Sequence, residues 1–382
     1  MTNRRDFLRL AAIGAGSMLV APRIVFANVA SDRRFVFIIQ RGAADGLNIV
    51  VPYADPAYAQ LRGGLAIQTS DAIKLDGMFA LHPALTGMGT LYGNRQALFV
   101  HAVASPYRER SHFDGQNVLE TGGTSPYPIR DGWLNRLVTL LPKSADKAIA
   151  FAPTIPAALR GPADVTSYAP STLPEASDDL LLRVAQLYDR DQQFHPVWSA
   201  AMEARGLFHD METRQNPAAA GRTAAEALVR PDGPRIAMIE TSGWDTHSGQ
   251  ENRLANQLKA LDAMIDAMRD GLGDVWQQTT VLVATEFGRT AAANGTGGTD
   301  HGTATTALIL GGAVNGGRIL ADWPGLAPNA LYENRDLKPT MDLDALIAAL
   351  AAETFGLEPE RTMQTLFPNR PFDRSLQGLI RT

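Results

Sequence analysis

The chain has 382 residues, with 45% hydrophobic and 20% charged side chains, 34 Gly, 23 Pro, 7 His and no Cys. That length and apolar content allow a large buried core and exclude a disordered chain, and the lack of cysteine excludes disulfides, thiolate zinc sites, iron–sulfur clusters and a thiol nucleophile. A formal net charge of −5 gives no reason to expect nucleic acid as a partner.

The first 27 residues read as an address. Arg4 and Arg5 stand as an adjacent pair in NRRDFLR, and an Ala- and Gly-rich apolar run follows to about Ala21. The run is too short to span a bilayer comfortably. Val25-Phe26-Ala27 then offers small residues for cleavage. The pattern predicts a twin-arginine signal peptide over 1–27, with an ordinary secretory signal or a retained anchor as the alternatives. It makes the twin-arginine translocase an expected partner and the periplasm or the exterior the expected location. Such substrates cross folded, so a metal would be selected before export. Losing Arg4, Arg5, Arg9 and Arg23 against Asp6 alone leaves a more acidic remainder. No later apolar run reaches membrane length, so the mature chain is expected to be soluble with no stable span.

Residues 28–382 are expected to form a single domain. Continuous β-branched or aromatic runs predict strands at 34–40 (RFVFIIQ), 97–103 (ALFVHAV), 147–151 (KAIAF), 235–240 (RIAMIE), 280–285 (TVLVAT) and 305–310 (TTALIL). Their lack of alternation fits strands covered on both faces. Helical patterns lie between them at 113–121, 132–141, 178–190, 196–214, 218–230, 251–272 and 342–355. The clearest is 251–272, where Leu254, Leu258, Leu261, Ile265 and Met268 recur every three or four residues. Strands alternating with helices predict an α/β fold, a three-layer α/β/α sandwich with a mostly parallel sheet. The block 178–230 reads as a helical insertion or cap. The Pro-rich stretch 152–176 reads as an irregular surface excursion.

Polar residues gather at the strand ends. Asp45 follows the first strand, and Arg108, Arg110, Ser111 and His112 follow the second. Asp245 and His247 follow RIAMIE, Glu286 and Arg289 follow TVLVAT, and His301 precedes TTALIL, most of them bracketed by Gly. Ligand crevices in open α/β sheets lie outside the carboxyl ends of the strands. Convergence would give an acidic, His-containing site able to hold a divalent metal: zinc or manganese with imidazoles, magnesium or calcium with carboxylates and water. The expected ligands are Asp45, Asp245, His247, Glu286 and His301. Ser111, flanked by cations at the start of a helix, is the candidate nucleophile, with His112 beside it and Arg289 as a clamp for an anionic oxygen. Each residue also has a structural reading. Ser111 can cap its helix, Asp45-Gly46 can make a turn, Glu286 and Arg289 can pair with each other, and His301 can bond to backbone in its Gly-rich turn. His82, His101, His195 and His209 read as structural or wet-face residues, and Trp244 as a wall of the site.

The segments RGAADGLNIVVPYADPAYAQLR, ALFVHAVASPYRERSHFDGQNVLETG, DGWLNRL, SGWDTHSGQ and ATEFGRTAAANGTGGTDHGTATTALILGGAVNGGRILADWPGL, with the leader, closely resemble DUF1501 proteins, a bacterial family of exported proteins. The family is distantly similar to the alkaline phosphatase/sulfatase superfamily. That resemblance implies an alkaline phosphatase-like sandwich, with Asp45 at the first metal-ligand position and Ser111 at the nucleophile. It implies Asp245 and His247 in the Asp/His segment, Glu286 at the next acidic position and His301 at the last His. The chain departs from the pattern in three ways. Its Asp–His spacing is shorter, Glu286 is followed by Phe287 instead of His or Asn, and there is no Cys–X–Pro–X–Arg segment. These departures exclude a formylglycine mechanism unless a Ser is modified, and they leave one metal, or none, open.

Two functions fit. One is an exported metal-dependent hydrolase or transferase acting on phosphate or sulfate esters, on a small molecule or a glycan. The other is a non-catalytic envelope- or polysaccharide-associated binding or assembly protein on a degenerate phosphatase-like scaffold. A redox enzyme is disfavoured by the lack of Cys, haem motif, GxGxxG and P-loop, and an elbow-type serine hydrolase by the lack of GxSxG.

Overall fold

The computed structural model describes residues 32–143, 147–169, 216–368 and 370–381, with short stretches between 183 and 199. The expected leader, 1–27, and most of residues 178–215 of the block expected over 178–230 lie outside the described residues. The main sheet has nine strands. They are β1 (Arg34–Gln40), β2 (Ala97–Ala104), β3 (Ala148–Phe151), β4 (Val165–Ser167), β5 (Ile236–Thr241), β6 (Thr279–Ala284), β7 (Thr305–Leu310), β8 (Arg318–Leu320) and β9 (Met341–Asp342). The order across the sheet is β8–β2–β7–β6–β1–β5–β3–β4, with β9 also paired to β2.

Every residue of β1 is buried, and its side chains alternate between the two faces of the sheet. Phe35, Phe37 and Ile39 enter one core and Val36 and Ile38 the other. Helices α2 (His112–Thr121), α3 (Trp133–Leu140), α6 (Leu343–Phe355) and α7 (Pro359–Leu366) cover the first face. Trp133 anchors it, edge-on to Phe37 at 5.2 Å, with its indole N–H donated to the Leu119 carbonyl at 3.0 Å. Helices α1 (Thr86–Gly93), α4 (Pro217–Leu228) and α5 (Gln250–Leu272) cover the second face. Leu254, Leu258, Leu261, Ile265 and Met268 of α5 are all buried there. The result is a three-layer α/β/α sandwich, and each large apolar side chain so buried contributes about 1.5–3 kcal/mol.

Of the helices that cover the sheet, α1 and α7 escaped the periodicity. In α1, Gly87 and Gly89 weaken the helix. Its first amides are met from outside, where Asp262 of α5 accepts from Gly87 N at 2.8 Å and Met88 N at 2.9 Å. In α7 a Glu358 cap and Pro359 at the first position form a local start signal.

One topological detail builds the site. β1 is parallel to both β5 and β6, whereas β7 is antiparallel to β6 and β2. The carboxyl ends of β2, β6, β1 and β5 therefore share an edge with the amino end of β7. All five segments singled out in the sequence meet at the middle of that edge.

Candidate metal centre

His112 is the first helical residue of α2, after Ser111 at the N-cap. Its Nδ1 lies 2.9 Å from Glu286 Oε1. A carboxylate there accepts the Nδ1 proton and directs the Nε2 lone pair inward. Nε2 is buried with no hydrogen-bond partner, 3.5 Å from Asp245 Oδ2. The ring is fixed by stacking on Phe287, at 5.2 Å between centroids.

His301 is held in the same manner. Its Nδ1 donates to the Arg110 carbonyl at 2.8 Å, and its Nε2 lies 3.5 Å from Asp245 Oδ1. Arg110 adopts a left-handed φ of 59°, and its guanidinium is tied to Asp336 and Glu333, which fixes that carbonyl. His247 Nδ1 pairs with Asp300 Oδ1 at 3.1 Å, and its Nε2 lies 3.1 Å from Asp245 Oδ1 and 2.9 Å from His301 Nε2. His112, Asp245 and His301 each present a ligand atom within 4.8 Å of the others. With the outer nitrogens engaged as donors, the Nε2 lone pairs of His247 and His301 face each other. That arrangement favours a cation between them. An orphaned imidazole nitrogen, this facing pair and a carboxylate together fit a divalent ion of the imidazole-preferring type.

Local sequence explains the close approach. Gly42, at φ 119°, lets the turn after β1 pass under Asp245, where a Cβ would come 2.6 Å from Asp245 N. The excursion between β6 and β7 is stitched back on itself by an Arg289–His301 bridge, and a Cβ at Gly302 would meet the Arg289 carbonyl carbon at 2.3 Å.

Not every expected ligand joins the cluster. Asp45 is buried and bound to Arg62 through both oxygens, at 2.5 and 3.0 Å, while Gln250 Nε2 also donates to Oδ2 at 2.5 Å. Glu286 lies behind His112 and accepts from it, from Gly42 N at 2.9 Å and from Gln116 Nε2 at 3.0 Å. Its second oxygen takes the Thr285 hydroxyl. Burial alone would raise its pKa, but the bonds from His112, Gln116 and Gly42 hold it below the ordinary range. Arg289, expected as a clamp for an anionic oxygen, is turned to partners within the protein. Its fully buried guanidinium donates to Asp245 Oδ1 at 2.8 Å and to Thr299. Burial opposes ionisation of Asp245, yet Arg289 holds that carboxyl below its usual range. Ser111 makes no side-chain cap bond to its helix, and its backbone N–H donates to Tyr107 Oη at 3.1 Å.

Glu286 and Arg289 thus serve different partners instead of each other. Sequence reasoning missed Asp300, Gln116, Gln250 and Thr299, although Asp300 adjoins His301 in TDHG and was open to the same reading. Trp244 is fully buried, donating to Thr241 Oγ1 at 3.0 Å. His101 is a core residue, bridging Ala102 N and the Val50 carbonyl, and burial pushes it down to about 4.

The sequence model of the family described as "Protein of unknown function (DUF1501)" matches residues 32–367. The chain belongs to the DUF1501 family. No curated protein matches it. Among solved structures, this DUF1501 chain is similar to Ps i-CgsB in complex with k-i-k-neocarrahexaose (TM-score 0.45, 12% identity, 88% of this chain and 75% of that one). It is also similar to a protein in the alkaline phosphatase superfamily from Vibrio parahaemolyticus (0.42, 12%, 90% and 71%). A third is the C-terminal periplasmic domain of EcEptC from Escherichia coli in complex with Zn (0.39, 9%, 74% and 74%). No helix among the described residues of the DUF1501 chain is long and apolar enough to cross a membrane.

Proposed function

We propose that this protein is an exported, metal-dependent hydrolase or transferase of phosphate or sulfate esters, with Ser111 as nucleophile. The observation that carries the reading is the convergence of His112, Asp245 and His301, with His247 beside them, while the outer nitrogen of every ring is already engaged. An ion held by these residues supplies a Lewis acid toward a phosphoryl or sulfuryl oxygen and lowers the pKa of a nearby hydroxyl.

The chain's own residues do the rest. Ser111 presents a hydroxyl not spent on capping α2, at a helix start whose free N–H groups favour an anion. Glu286 and Asp300 orient His112 and His247, and the Arg110 carbonyl orients His301. Arg289 keeps Asp245 ionised and in place. Attack by the Ser111 oxygen forms an ester to phosphorus or sulfur as the bond to the leaving oxygen breaks. The serine proton passes to solvent, the leaving oxygen departs with the electron pair of its bond and takes a proton from water, and water or a second alcohol then resolves the enzyme ester. The leader is consistent with export to the periplasm.

The test is metal content of protein purified without chelator, beside turnover of nitrophenyl phosphate, phosphodiester and sulfate. Ser111→Ala is expected to keep the metal and lose turnover, and Asp245→Ala to lose both. Turnover that survives Ser111→Ala removes the nucleophile, and a metal-loaded chain inert to all three esters removes the hydrolase reading.

One observation favours a non-catalytic, envelope- or polysaccharide-associated role for the same centre. Arg289 engages Asp245 and Thr299 through all three guanidinium nitrogens, so it is not free to hold an anionic oxygen. Metal retention with no turnover is the result this role predicts.

A further inference from the structure

The candidate ligands separate into two centres of opposite character. Around Asp245, His112 Nε2 is buried and unpartnered, and His247 Nε2 and His301 Nε2 face each other at 2.9 Å. Around Asp45 the carboxylate is saturated. Oδ1 takes Arg62 NH2, and Oδ2 takes both Arg62 NH1 and Gln250 Nε2. Arg62 is wholly buried and Asp45 nearly so. A buried carboxylate needs a compensating cation, and here the chain carries that cation itself. The planar guanidinium meets both oxygens, which leaves no pair of oxygens facing a common empty point.

The centres are joined. Gln250, the first residue of α5, donates to Asp45 and accepts from the hydroxyls of Thr246 at 2.9 Å and Thr299 at 2.6 Å. Arg289 contacts Thr299 and Asp245. A continuous buried path therefore runs Arg62–Asp45–Gln250–Thr299–Arg289–Asp245. Each of its two carboxylates faces a buried guanidinium, but only Asp245 keeps an oxygen turned toward the unpartnered His112 Nε2, at 3.5 Å.

Resting on the metal-dependent reading above, we infer that the chain binds one divalent ion of the imidazole-preferring transition series. His112, Asp245 and His301 are its core ligands. At Asp45 the Arg62 guanidinium permanently occupies the place a second cation would take. Asp45 is then a positioning residue, acting on Asp245 through Gln250, Thr299 and Arg289. The donor set disfavours magnesium and calcium, which require a sphere of oxygens.

The test is zinc stoichiometry of the full chain, loaded with zinc alone, dialysed and measured by elemental analysis, with calcium and magnesium as competitors. The expected result is one zinc per chain that millimolar calcium or magnesium does not displace. Asp45→Asn should keep that stoichiometry with affinity lowered less than tenfold, and Asp245→Asn or His112→Ala should lose the ion. If Asp45→Asn does not fold, the double variant Asp45→Asn/Arg62→Gln, which removes both charges, replaces it. Two zinc per chain, loss of the ion on removing the Asp45 charge, or displacement by calcium would overturn the inference while leaving metal dependence intact. No zinc in the wild-type chain would overturn the metal-dependent reading and this inference with it.

Discussion

The Nε2 atoms of His247 and His301 stand 2.9 Å apart, while Asp300 and the Arg110 carbonyl take the proton of each Nδ1. Two lone pairs at that distance repel, and a cation lodged between the rings would relieve the repulsion. His247 is therefore expected to strengthen zinc binding. Calorimetric titration should show weaker affinity in His247→Ala than in the wild type. An equal affinity in both would mean that His247 stands outside the ion's sphere.

Glu286 acts on the centre through His112. Glu286→Gln removes the charge that fixes the His112 tautomer but keeps the volume, and is expected to weaken zinc binding about 10–100-fold. Competition against a chromophoric chelator measures it. An unchanged affinity would show that Phe287 stacking alone orients the ring.

Asp45 and Arg62 make a stability prediction independent of metal. Asp45→Ala leaves a guanidinium buried and unpaired and should cost about 3–5 kcal/mol in urea unfolding of the metal-free chain. Replacing the pair by apolar residues, Asp45→Leu with Arg62→Met, should recover most of that loss. A double variant as unstable as the single would place the cost in packing and not in charge.

Asp344, in the first turn of α6, is wholly buried. Arg370 Nε lies 3.2 Å from one of its oxygens, but neither oxygen makes a hydrogen bond. Burial pushes its carboxyl from 3.8 up to about 7, against the opposing pull of the Arg108 charge. Between those values the folded chain keeps a proton that the unfolded chain releases, so this group's contribution to stability falls as pH rises through the window. The loss approaches about 4 kcal/mol once both states are ionised. Asp344→Asn should flatten the dependence of unfolding free energy on pH between 4 and 8, chiefly by gaining stability at the upper end. Parallel curves for wild type and variant would place the ionisation elsewhere.

Gly42→Ala puts a methyl group against the Asp245 amide, at a φ that side chains seldom adopt. The backbone conformation alone costs about 1–3 kcal/mol. Because the clash falls on the Asp245 loop, zinc affinity should drop more than the unfolding midpoint suggests. Affinity preserved in a destabilised variant would mean that the loop shifts as a unit without disturbing its ligand.

Much of this was legible from residue order. The six apolar runs are strands of the central sheet, because a strand covered on both faces must be apolar throughout. Asp245, His247 and His301 could be placed at one edge because strand ends gather there. The partner of Asp45 could not be read, since nothing in ADPAYAQLR marks Arg62 as the arginine that folds back. His112 read only as a neighbour of Ser111, because the partner that turns its Nε2 inward, Glu286, is distant in sequence. Helix α1 was hidden because its start is capped by Asp262 from another helix. The missing information is tertiary in each case: a partner whose identity ordinary local rules do not fix.

The reversed direction of β7 has a bearing on how the centre comes into being. Glu286, Arg289 and His301 lie on one short closed excursion, which costs little chain entropy to form. His112 and Asp245, however, arrive from β2 and β5, on either side of the β7–β6–β1 strip. These residues can meet only after all five central strands have paired. On the proposed reading, metal affinity is a property of the completed sheet, absent from any fragment, and the ion's binding energy would add to the stability of the native state alone.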